Sequence, residues 1–143
     1  MQYWDTSTLL KLYVPENDSA QFAAHLPASA IVSSDLARWE ILRAVARKES
    51  SGAIAPNSTE AAFAKFRSDV KAERILLLNV DGAVEAHFRS LVLNLHRKQP
   101  PICIRTADAI HLATALNCAA TEVVTTDAQM REGATALGLK LFP

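Results

Sequence analysis

Short unbroken apolar runs alternate along this chain with longer segments of helical period. The runs fall at residues 2–4, 30–33, 75–80 and 122–126, and residues 139–142 read as a fifth. They carry Tyr3 and Trp4, Ile31 and Val32, a nearly continuous aliphatic stretch, and Val123 and Val124. Apolar runs without polar alternation suit strands covered on both faces. The helical segments are 6–13 and 19–26, separated by Pro15, then 34–50, ending ahead of Gly52. Next come 58–72, after the turn-and-cap pair of Pro56 and Asn57, and 81–98, stopped by Pro100 and Pro101. Segments 106–119 and 127–137 follow, the last closed by Gly138 in a C-cap position.

Segment 106–119, TADAIHLATALNCA, is rich in Ala and Leu and is expected to be a central packed helix. Strands alternating with helices of this length imply right-handed crossovers. The pattern predicts one α/β domain over residues 1–143, with a mostly parallel central sheet of four to five strands flanked by helices. In 34–50, Leu36, Trp39, Leu42 and Val45 recur at three-residue steps, and Trp39, Leu42 and Val45 read as one stripe. Leu91, Leu93 and Leu95 crowd 81–98, more apolar surface than one contact with the sheet needs, so part of that helix is expected in a homodimer interface.

With 143 residues, half of them hydrophobic and 21% charged, the chain builds a core without disulfide staples and is not disordered. Fifteen Lys and Arg balance fifteen Asp and Glu, so nucleic acid contact requires a local patch rather than an overall basic field. Cys103 and Cys118 have no C-x-x-C partners, which suits a reduced cytosolic protein. No run reaches the length of a membrane span, and MQYWDTSTLL has no basic and apolar signal pattern. A cytoplasmic location is expected.

The acids carry the chemistry. Ligands of open parallel sheets bind beyond the carboxyl ends of the strands. Asp5 directly follows the first strand, Asp127 follows VVTT, Asp108 lies in the first turn of the apolar helix, and Glu40 sits inside WEILRAV. Each has an ordinary explanation: Asp5 and Asp127 as N-caps, Asp108 beside a helix dipole, Glu40 paired with Arg43 or Arg47. As a set on one edge they suit a hard cation, because Mg²⁺ and Mn²⁺ prefer oxygen ligands and leave positions open for water and phosphate.

The segments MQYWDTSTLLKLY, LARWEILRAV, RTADAIHLATAL and VVTTDAQM resemble, in order and spacing, the PIN domain and within it the VapC-like toxin ribonucleases. The resemblance spans nearly the full chain. It implies that Asp5, Glu40, Asp108 and Asp127 are the catalytic, metal-binding acids, and that Ser7 holds a carboxylate or a metal-bound water. It further implies an endoribonuclease dependent on Mg²⁺ or Mn²⁺, hydrolysing RNA with a metal-activated water. The same resemblance implies the toxin of a type II toxin–antitoxin pair, a homodimer neutralised by a small antitoxin protein.

Other features read as packing or solvated surface. His111 shares a helix face with Asp108, but its neighbours Leu112 and Ala115 mark a packed surface. Trp4 and Trp39 suit a core or dimer surface better than a base-stacking platform. Arg38, Arg43, Arg47 and Lys48 give one helix a basic side, and Lys11 and Arg105 stand near the expected site edge, where a cation can hold an RNA phosphate. A phosphoacceptor domain would need a second acid beside Asp5, and a D-x-D phosphatase is excluded by Asp5-Thr6-Ser7. Neither usual nucleotide-cradling glycine motif occurs. The remaining alternative is a non-catalytic RNA- or protein-binding module on a PIN fold.

Overall fold

The computed structural model describes residues 1–143. Five strands, β1 (Gln2–Trp4), β2 (Ile31–Ser34), β3 (Ile75–Leu78), β4 (Glu122–Val124) and β5 (Lys140–Phe142), form one sheet in the order β3-β2-β1-β4-β5. Every neighbouring pair is parallel. Seven helices connect and cover them: α1 (Thr6–Leu10), α2 (Ser19–Ala24), α3 (Ala37–Ser50), α4 (Ser58–Lys71), α5 (Gly82–His96), α6 (Thr106–Asn117) and α7 (Ala128–Ala136). The α/β class and the five-stranded parallel sheet are as the apolar pattern predicts.

Successive strand residues point to opposite faces, so each short strand feeds two cores. Tyr3, Val32 and Val123 join Val84, Leu91, Leu95 and Leu112 on the face covered by α5, α6 and α7. Trp4, Ile31 and Val124 join Leu9, Phe22, Ile41, Val45 and Phe66 on the other. Helix α6 buries six of its twelve residues, from Ala109 to Ala115, and is the central helix its composition suggests. Gly133 in α7 lets the backbone approach α6, since a Cβ there would stand 2.9 Å from Leu112 Cδ1. Gly138 ends α7 with φ +75°, a conformation that favours glycine.

Several boundaries shift for local reasons. Helix α1 ends at Leu10 rather than Tyr13, because the amides of Lys11, Leu12 and Tyr13 make i→i−3 bonds that tighten the chain into turns ahead of Pro15. Ser34 belongs to β2, in register with Leu78, so α3 begins at Ala37.

The stripe expected of Trp39, Leu42 and Val45 does not form. Three-residue steps lose about 60° per step on a helix of 3.6 residues per turn. The buried stripe is instead Ala37, Ile41 and Val45, at four-residue steps, and Trp39 is 69% exposed. Likewise Leu91 and Leu95 are buried against the core while Leu93 faces outward. On α3 and α5 the large apolar side chains left exposed are therefore Trp39, Leu42 and Leu93, not whole helix faces.

Lys11 also departs from expectation. It lies away from the acids, paired with Glu16 at 2.6 Å and Asp18 at 2.8 Å. Glu16 in turn accepts Lys48 of α3 at 2.7 Å. Burial acts to raise the Glu16 carboxyl, but the two lysines outweigh it and hold the group below its ordinary value of 4.5. A carboxylate depressed on folding stabilises above its unfolded pKa and loses that contribution as pH falls through the folded one. Glu16→Gln is expected to cost about 1 kcal/mol at pH 7 in urea unfolding, the upper end for partly exposed pairs. The difference from wild type should shrink as pH falls below 4.5. An equal difference at pH 7 and pH 3 would contradict the ion-pair assignment.

Candidate active site

In a parallel sheet all carboxyl ends share one edge, and β1 and β4 are adjacent there. A cleft of about 480 Å³ at this edge is lined by Asp5, Glu40, Asp108 and Asp127, with Ser7, His111, Arg43, Arg47 and Arg105. The four acids predicted from sequence thus meet in one cleft. A larger groove, about 710 Å³, opens near Ile31 and Ile75, the first residues of β2 and β3, and contains none of the four.

Asp5 is the most enclosed, 4% exposed at the end of β1. Its amide continues the sheet by donating to Val124 O at 3.1 Å. Its carboxylate caps α1 by accepting the Thr8 amide at 2.8 Å, so the capping explanation and the site position coexist. Ser7 Oγ lies 2.9 and 3.0 Å from its two oxygens, which places Ser7 on a carboxylate. Thr125, fully buried beyond β4, donates to Asp5 Oδ2 at 2.6 Å and accepts the Asp127 amide at 3.1 Å. This hydroxyl ties the two strand-end acids together. Asp127 itself caps α7 by accepting the Met130 amide at 3.0 Å.

Glu40 turns inward, away from the pairing with Arg43 or Arg47 that its helix allows. It accepts Thr6 Oγ1 and lies 2.8 Å from His111 Nε2. A carboxylate only accepts, so Nε2 carries the proton and Nδ1 receives the Tyr3 hydroxyl, 2.7 Å away. Burial pushes Tyr3 well above its ordinary value, so it remains a donor. His111 is buried as expected of a packing residue, yet its ring also holds a site acid. Burial alone would raise Glu40; the hydrogen bonds from His111 and Thr6, with the Arg105 charge, bring it below its ordinary value.

Arg105, the residue preceding α6, spans the other two acids. Its Nε donates to Asp108 Oδ2 at 2.6 Å and its Nη2 to Asp127 Oδ2 at 2.5 Å. Burial pushes Asp108 above the ordinary aspartate value, aided by repulsion from Asp127 and opposed by Arg105. Asp127 stays below it, because the Met130 amide and Arg105 outweigh its burial. In this side-chain arrangement no three His, Cys, Asp or Glu residues stand close enough to enclose an ion. The donors are nonetheless all carboxylate oxygen, the chemistry a hard cation takes, and the Asp108 and Asp127 pair already draws a positive group between them.

The PIN domain matches residues 3–135. The chain belongs to the PIN-domain family. It is 34% identical over 143 residues to ribonuclease VapC46 of Mycobacterium tuberculosis, covering 98% of this chain and 95% of the relative. It is homologous to a VapC-like ribonuclease. The PIN fold superimposes on a toxin–antitoxin complex from Klebsiella pneumoniae with TM-score 0.64 and 17% identity, covering 100% and 97% of the two chains. With VapBC2 from Rickettsia felis, bound to a promoter DNA fragment, the TM-score is 0.67 at 15% identity over 99% and 98%. No helix of this PIN domain is long and apolar enough to cross a membrane.

Proposed function

We propose that residues 1–143 form one nuclease domain, a Mg²⁺- or Mn²⁺-dependent endoribonuclease that is the toxin of a type II toxin–antitoxin pair. The observation that carries this reading is the meeting of Asp5, Glu40, Asp108 and Asp127 in one cleft at the carboxyl edge of the sheet. The 34% identity to a ribonuclease along nearly the whole chain supports it. Asp5 and Asp108 are the main metal ligands, and Glu40 and Asp127 complete the set. When bound, a divalent ion supplies a Lewis acid for a phosphoryl oxygen and lowers the pKa of water.

The chain's own groups supply the rest. Ser7, Thr8 and Thr125 fix the Asp5 carboxylate, and Thr6 and His111 fix Glu40, so neither acid reorganises when substrate enters. Arg43 and Arg47 on α3 face the cleft without pairing to any of its four acids, and are free to hold the RNA backbone. A cognate antitoxin protein, a homodimer contact through Trp39, Leu42 or Leu93, and a cytoplasmic location belong to the same reading.

Incubating the purified chain with a structured RNA tests it. Cleavage is expected with Mg²⁺ or Mn²⁺ and none in excess EDTA, with products ending in 5′-phosphate and 3′-hydroxyl. Cleavage that survives the chelator, or 2′,3′-cyclic phosphate ends, would overturn the mechanism. RNA binding without cleavage would leave a non-catalytic module on the same fold.

A further inference from the structure

Arg105 is the one cation joined to two of the cleft's four acids. The pairs are unequal in exposure: the arginine side chain is 62% exposed, Asp108 14% and Asp127 28%. A solvated arm thus lies across a less accessible pair of carboxylates. Ion pairs made by so exposed a partner contribute only about 0.2–1 kcal/mol, so the contact is readily exchanged. The two acids, by contrast, repel each other once the arm leaves. The guanidinium occupies Oδ2 of both carboxylates, so an ion that takes those two oxygens must displace it.

We propose that Arg105 is a resident counter-ion of the Asp108 and Asp127 pair, which yields these acids to a divalent cation and then turns its freed fork to a phosphate of RNA in the cleft. The inference rests on the nuclease reading above and deepens it. Tethered one residue before α6, the arm remains at the rim after release. There it joins Arg43 and Arg47, which line the same cleft. A planar fork of donors matches two phosphate oxygens, which a lysine does not. The exchange couples metal loading to substrate capture: while the acids lack an ion, the phosphate-binding arm is occupied.

The test compares wild type, Arg105→Gln and Arg38→Gln, each as the full chain. Arg38 pairs with Asp35 and lies outside the cleft, so its variant controls for the loss of one charge. Mn²⁺ binding is read from the electron paramagnetic resonance signal of the free ion, without RNA. Arg105→Gln is expected to bind Mn²⁺ about three- to tenfold tighter, as removal of a competing ion pair implies, and Arg38→Gln to match wild type. At saturating Mn²⁺, Arg105→Gln should raise KM for a short RNA roughly tenfold with kcat within about twofold, the signature of a lost phosphate contact. Equal or weaker Mn²⁺ binding in Arg105→Gln, an unchanged KM, or equal tightening in Arg38→Gln would each overturn the exchange while leaving the nuclease reading intact. Wild type that binds no Mn²⁺ would defeat both. Should Arg105→Gln fail to fold, Arg105→Lys keeps the charge without the fork. It should then bind Mn²⁺ about twofold tighter and still raise KM; failure of either would overturn the proposal.

Discussion

Asp108→Asn is expected to lose RNA cleavage by at least about a hundredfold while melting no lower than wild type in the absence of metal. Two opposing contributions at this position nearly cancel. Burial with a repelling Asp127 makes the ionised carboxylate unfavourable, which is why Asp108 sits above the ordinary aspartate value. The ion pair to Arg105 offsets this, but its partner is largely solvent-exposed, so the pair contributes about 1 kcal/mol at most. Asparagine keeps the size and a hydrogen-bonding oxygen, and removes the repulsion. What it cannot replace is a charged ligand. A ligand that binds only the folded state stabilises by about 2.7 kcal/mol at a hundredfold excess over its dissociation constant, and much of that response to Mn²⁺ should vanish. Melting curves with and without Mn²⁺, beside one cleavage assay, decide the matter. A variant that melts several degrees lower and still cuts RNA would return Asp108 to a role in helix electrostatics alone.

The elements and the four acids were legible because their signals are local. An acid at or just past a strand end places Asp5, directly after β1, and Asp127, three residues after β4, at the sheet edge whatever the rest of the chain does. The apolar segment around Asp108 marks a buried helix on its own. The supporting groups were not legible, because they act across long sequence separations. Tyr3 meets His111 across 108 positions, and Thr125 meets Asp5 across 120. A threonine in VVTT gives no sign that its hydroxyl will bridge two acids. Arg105 was recognisable only as a cation near the edge, and the same reasoning placed Lys11 there, though Glu16, Asp18 and the Phe22 ring hold it elsewhere. Trp39 shows the other limit. A three-residue spacing looks helical over two positions, but the turn angle carries it off the buried face within three steps.

His111→Ala should be the most destabilising of the single substitutions considered. The ring is 2% exposed, and its removal leaves a cavity and takes the partner from a Tyr3 hydroxyl that is itself fully buried. A buried donor without an acceptor costs about 1–3 kcal/mol, and the lost packing adds to it, so a total near 3 kcal/mol is expected. For a domain of this size that is roughly a 10 °C fall in melting temperature. Tyr3→Phe removes the hydroxyl but keeps the ring and the Nε2 bond to Glu40, and should cost about 1 kcal/mol. The connection to the active site is read from a double-mutant cycle of His111→Ala with Glu40→Ala. Groups sharing one hydrogen-bond network couple by about 0.5–3 kcal/mol, whereas independent ones add within about 0.5. Coupling above 1 kcal/mol, together with a fall in cleavage by His111→Ala at temperatures where the variant remains folded, is expected of a ring that holds Glu40 in place. Additive losses would make His111 a packing residue whose bond to Glu40 is incidental, and the rigidity of that side of the cleft would then rest on Thr6 alone.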